Sequence, residues 1–153
     1  MNKRIYLDHA STTPLDGDVK SEMEKYFTMD FGNPAAVYRE GVVAWNALTS
    51  ARKSVAGVLR SHADEIIFTS GGTEANNLAI FGAVSAFRQK GLAFSDIHVI
   101  TSAIEHSSVL ECLKALQGKG LRVTYLPVGE KGIVNPRDLE KALTPKTCLV
   151  SIM

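Results

Sequence analysis

Ser70-Gly71-Gly72-Thr73 stands between an apolar run, Ile66-Ile67-Phe68-Thr69, and a stretch that reads as a helix running on through Leu78, Phe81 and Phe87. A strand, a small-residue turn and a helix in that order make an anion-binding device. Glycines let the main chain turn tightly and leave room for a ligand beside it. The first N–H groups of a helix have no internal partner, and the helix dipole directs its positive end at the turn. A phosphate is the usual occupant of such a place, and the Thr73 hydroxyl offers one more donor. The plainer alternative is a tight turn with Thr73 as helix N-cap. No Gly-Lys-Ser/Thr follows the glycines and no G-x-G-x-x-G is present, so the pattern is neither a P-loop nor a dinucleotide fingerprint. A phosphate-bearing cofactor that is not a nucleotide fits it.

A second candidate is His106, in Ser102-Ala103-Ile104-Glu105-His106, just after the next apolar run. Open α/β sheets bind ligands at the carboxyl ends of their strands, which puts His106 on the same rim as the glycine turn. Imidazole is flat and titrates near neutrality; a structural or surface histidine at a helix start is the alternative. Asn33 precedes Pro34, where a cap for the helix beginning at Pro34 is the local reading. Cys112 and Cys148 lie far apart without metal-ligand spacing and read as small core residues. Lys90, Lys114, Lys119 and Lys141 read as solvated helix ends or faces.

These residues need a scaffold, and the chain supplies an alternation. The spacing predicts helices over 18–27, 34–59, 73–90, 107–117 and 136–143, and strands over 66–69, 97–101, 121–126 and 148–153, after a short strand-like Ile5-Tyr6-Leu7. Val19, Met23 and Phe27 share one helical face; Ala44, Leu48, Ala51, Val55 and Val58 share another. Gly91 and Gly118 are placed to end helices. Strands separated by helices imply a parallel sheet with right-handed crossovers, and short apolar strands imply helices on both faces.

The 153 residues, 45% hydrophobic and 22% charged, suit a soluble globular protein with one sizeable core. The net charge of +1 gives no field for nucleic acid or acidic lipid. Met1-Asn2-Lys3-Arg4 and the short run behind it lack the apolar core of a signal peptide, and no run is long enough to span a membrane, so a cytoplasmic location is the expectation. The closing run Leu149-Val150-Ser151-Ile152-Met153 stops while still apolar, which reads as an unfinished sheet.

The residues resemble, as an ordered series along the whole chain, the cysteine desulfurases of the class V aminotransferase group of pyridoxal-phosphate enzymes. The series runs Tyr6-Leu7-Asp8-His9-Ala10-Ser11-Thr12-Thr13-Pro14, then Phe31-Gly32-Asn33-Pro34, Gly41 and Ala51-Arg52. Phe68-Thr69-Ser70-Gly71-Gly72-Thr73-Glu74-Ala75-Asn76-Asn77-Leu78-Ala79-Ile80 is its most distinctive part. Glu105-His106-Ser107-Ser108-Val109-Leu110, Val123-Thr124-Tyr125-Leu126 and the closing apolar run complete it.

The resemblance implies the N-terminal half of the large domain of a fold-type I enzyme over residues 16–153, with residues 1–15 as an arm that joins the small domain. It implies pyridoxal 5′-phosphate as cofactor, its phosphate on Gly72 and Thr73 and its ring stacked on His106, which also serves as the catalytic proton carrier. Asn33 falls in the substrate-side motif. The implied reaction removes sulfur from L-cysteine, leaving L-alanine and an enzyme persulfide for iron–sulfur cluster or thio-cofactor assembly. A homodimer and a sulfur-acceptor or iron–sulfur scaffold partner go with it.

Two departures stand out. Ala35-Ala36-Val37-Tyr38 replaces the family's Ser-Ser and histidine after Asn-Pro, and the chain carries no Ser-x-His-Lys segment with its Schiff-base lysine and no cysteine in a persulfide-forming loop. The 153 residues by themselves are therefore expected to be an inactive fragment. Related class V lyases, such as a selenocysteine lyase, and a non-catalytic phosphate-binding module are the other readings.

Overall fold

The computed structural model describes residues 5–153; Met1-Asn2-Lys3-Arg4 lie outside the described residues. The chain forms two compact units, the first ending at Ile67 and the second covering Phe68–Met153.

In the first unit Ile5-Tyr6-Leu7 is not a strand. It has no ladder partner, and the Tyr6 hydroxyl instead lies 2.9 and 3.0 Å from the carbonyls of Asp8 and Thr12, tying down a turn. Helix α1 (Gly17–Thr28) is capped by Asp16, whose Oδ1 accepts from the Asp18 N–H at 2.9 Å.

Helix α2 (Arg39–Leu59) begins five residues later than the Asn-Pro signal predicts. Asn33 closes a turn instead: its carbonyl accepts from Ala36 N–H at 2.9 Å, and its Oδ1 from Ala35 N–H at 2.9 Å. The turn folds back on the start of α2. A Cβ on Gly32 would stand 2.0 Å from the Glu40 carbonyl oxygen, and one on Gly41 2.2 Å from that of Ala36. Two glycines thus let backbone meet backbone, and that contact outcompetes an early helix start.

The predicted stripe on α2 is covered only in part. Ala44 and Leu48 are half-buried, whereas Val55 and Val58 are exposed, and Ala56 is the buried alkyl residue. Val19, Met23 and Phe27 on α1 are exposed too. Periodicity tells which face is apolar, not whether another element lies over it.

The second unit holds the sheet. α3 (Gly72–Gln89), β1 (His98–Ser102), α4 (Ser107–Gln117), β2 (Arg122–Leu126), α5 (Pro136–Ala142) and β3 (Thr147–Ser151) follow in order. The three strands are parallel, ordered β2-β1-β3. β1 is central and buried at every position. Val109, Cys112, Leu113 and Leu116 of α4 pack with Ile80 and Val84 of α3 and with Ile97, Val99 and Leu121 to form the core. The i, i+3, i+4, i+7 spacing on α4 is what aims four side chains at it.

The fourth expected strand, over 66–69, is absent. Its backbone is unladdered and Ile67 and Phe68 are exposed. An apolar run becomes a strand only beside a neighbour that takes its hydrogen bonds. Of the two expected helix-ending glycines, Gly118 is the C-cap of α4, while Lys90 caps α3 and Gly91 follows it with φ 88°.

Two predictions follow from the packing. Gly41→Ala must push apart the turn at 33–36 and α2; we expect about 2 kcal/mol of destabilisation, read as a lowered urea midpoint. His98, buried in β1, sits with Nδ1 2.8 Å from Thr147 Oγ1 and Nε2 2.8 Å from Thr124 Oγ1. Burial, and secondarily the Arg122 charge, push its pKa down. The unfolded chain therefore binds this proton more readily, so His98 favours folding above a pH of about 6.5 and progressively less below it. The thermal midpoint should fall between pH 7.5 and 5.5, and fall less in His98→Asn.

Candidate functional site

α3 begins at Gly72, with Gly71 as N-cap rather than Thr73, which takes the second helical position. The turn is braced from both sides. The Thr69 hydroxyl donates to the Gly71 carbonyl at 3.2 Å, and the Glu74 carboxylate reaches back to accept from Ser70 N–H at 2.7 Å and Ser70 Oγ–H at 2.6 Å. The Ser70 hydroxyl, then its N–H, hold the Glu74 pKa below its ordinary value. The carboxylate also complements the dipole of the first turn. Gly71 and Gly72 stand open: a Cβ on either would meet nothing within 4 Å. The N–H groups of Gly72 and Thr73 lie in the first turn, where helix geometry provides no acceptor.

His106 is the N-cap of α4 and is solvent-exposed. Its Nδ1 lies 3.1 Å from the Ser108 N–H and 2.8 Å from Ser108 Oγ. Ser108 Oγ in turn lies 2.9 Å from Asn76 Nδ2 on α3. The cap histidine of one helix is thereby joined, through one hydroxyl, to the first turns of the other. Gly72, Thr73 and His106 all belong to the second unit.

Beside His106 the side chain of Glu105 is buried, and its Oε1 accepts from Ser102 Oγ–H at 2.7 Å and from Met153 N–H at 2.6 Å. It fastens the turn after β1 to the chain leaving β3. Residue spacing alone did not single out Asn76, Ser108 or Glu105. The Asn76–Ser108 bond spans 32 residues and the Glu105–Met153 bond 48. Their signal in the sequence was their place in the motif series, Asn76 after the glycine turn and Glu105 and Ser108 on either side of His106.

Asn33 lies in the first unit, with its side chain engaged in its own turn. Cys112 is buried and Cys148 half-buried, and burial pushes both thiols up, away from the thiolate form. Lys114 and Lys141 are exposed and paired with Glu111 and Asp138 at 2.7 and 3.8 Å. A groove of about 370 Å³ between α3 and α4 is lined by Thr73, Asn77, Phe81, Ser107, Ser108 and Cys112 among others, but not by Gly72 or His106. Among the described residues no acid, histidine and cysteine cluster could hold a metal, and no helix is long and apolar enough to cross a membrane.

The donor set suits a phosphate attached to a flat ring: open glycine backbone and a hydroxyl at one helix start, and an imidazole braced against that helix at the next. The chain is 44% identical over 153 residues to the cysteine desulfurase IscS of Dictyoglomus turgidum, and 45% over 152 residues to that of Methanosarcina thermophila. It spans 38% and 36% of their lengths. The solved structure of a NifS-like protein superposes with a TM-score of 0.89 at 38% identity, over 99% of this chain and 40% of that one. A structure of SspA in complex with cysteine gives 0.85 at 36% identity, over 96% and 41%. Residues 5–153 match the family described as Aminotransferase class-V, and the chain belongs to it.

Proposed function

We propose that this chain is the cofactor-phosphate and ring-stacking part of a pyridoxal-phosphate-dependent cysteine desulfurase. The observation that carries the reading is the bracing of the α4 cap histidine against the glycine-led helix α3 through Ser108 and Asn76. Gly72 and Thr73 hold the phosphate by main-chain N–H groups and one hydroxyl; the positive end of α3 adds to their pull. His106 would stack on the ring of the cofactor and serve as the proton carrier at the substrate. Pyridoxal phosphate, when bound, supplies the electron sink for carbanion chemistry.

The overall reaction breaks the carbon–sulfur bond of L-cysteine. The sulfur joins an enzyme thiol as a persulfide, and the three-carbon remainder takes up a proton to become L-alanine. The relative solved with cysteine supports that substrate. The persulfide serves iron–sulfur or thio-cofactor assembly through an acceptor protein, and the working form is a cytoplasmic homodimer in which the arm, residues 5–15 among those described, joins the small domain. Asn33 contacts the amino acid in that assembly. Neither thiol here suits the sulfur-accepting role, and no Ser-x-His-Lys segment stands in the sequence. The 153 residues alone therefore turn over cysteine no faster than free cofactor does, which an assay of alanine release checks.

Fluorescence titration tests the binding half. Pyridoxal phosphate should bind more tightly than pyridoxal, which lacks the phosphate. Thr73→Val should weaken the phosphate form roughly tenfold, the worth of one hydrogen bond to a charged group. Gly72→Val should weaken it further with little effect on folding, since a side chain there meets open space. Equal affinity for the two ligands would sink the reading, and tight inorganic phosphate binding without preference for the ring would favour a plain phosphate-binding module.

A further inference from the structure

The contacts of His106 determine which of its nitrogens carries the proton. The Ser108 backbone N–H, 3.1 Å from Nδ1, can only donate. Nδ1 is therefore an acceptor without a proton of its own, and the proton of the ring is on Nε2. Ser108 Oγ, 2.8 Å from the same nitrogen, must then spend its single hydrogen there. That leaves Ser108 Oγ as an acceptor toward α3, and the Asn76 amide meets it at 2.9 Å with its NH₂ group. Ser108 is buried and Asn76 half-buried, so the alternative orientations, which would face acceptor against acceptor, are not relieved by solvent.

We infer that Asn76 and Ser108 are positioning residues that lock His106 as its Nε2–H tautomer, so that the neutral ring meets a bound ligand with an N–H donor at Nε2. The device lies between the two helix starts, and it couples the tautomer of the α4 histidine to the seating of α3. The use of that proton at a cofactor rests on the function proposed above; the tautomer itself rests only on the hydrogen bonds.

Two-bond ¹H–¹⁵N spectra of the 153-residue chain at pH 8 test it, with His106 assigned by its loss in His106→Asn. The wild type should show an unprotonated Nδ1 and a protonated Nε2. In Asn76→Asp the new carboxylate offers only acceptors, so the Ser108 hydroxyl turns to it and the Nδ1 resonance shifts. Ser108→Ala should shift it likewise, and Ser108→Thr, which keeps a hydroxyl, should restore the wild-type position. A wild-type Nδ1 that carries the proton, or averages between forms, overturns the inference. So does a resonance unmoved by both Asn76→Asp and Ser108→Ala. Because no cofactor is added, failure of cofactor binding leaves this result standing.

Discussion

β1 is buried at all five positions, so none of its backbone groups can turn to water and each must be met by a strand on either side. That demand orders the second unit. β2 and β3 lie parallel to β1, register with it, and are returned to it by helices. The two edge strands are only partly buried, as a three-stranded sheet permits. Where β1 ends, its hydrogen-bonding obligation ends as well, and the chain is free to form the turn that carries Glu105 and His106.

Glu105 and Ser108 solve different parts of the same problem at that turn. A buried carboxylate is tolerated because two donors reach one of its oxygens, the Ser102 hydroxyl and the Met153 N–H. This ties the exit of β3 to the exit of β1. Ser108 ties the start of α4 to that of α3 through Asn76. The open glycine turn and the imidazole thus reach their places by hydrogen bonds among side chains, not by the apolar core, which lies deeper along α3 and α4. Substitutions in the core act on stability, and those at Asn76, Ser108 or Glu105 act on alignment.

The glycines show two distinct uses of a missing side chain. At Gly32 and Gly41 a Cβ would collide with backbone at 2.0 and 2.2 Å, so packing demands glycine. At Gly71 and Gly72 nothing stands within 4 Å, so packing within this chain does not.

The sequence by itself determined much that is local. The helix spans apart from the start of α2, the parallel strands 97–101, 121–126 and 148–153 to within a residue or two, and the small-residue turn before α3 were legible, because periodicity and turn chemistry act over a few neighbours. The order of motifs pointed to the family. Only the tertiary structure decided which apolar runs found partners. It left 66–69 and Ile5-Tyr6-Leu7 without a ladder, and it delayed α2 to Arg39 through a backbone contact that local rules do not contain. It also decided that the Ser108 hydroxyl at His106 is met from behind by an amide on another helix. Pairings of that kind are made across tens of residues, and no local pattern encodes them.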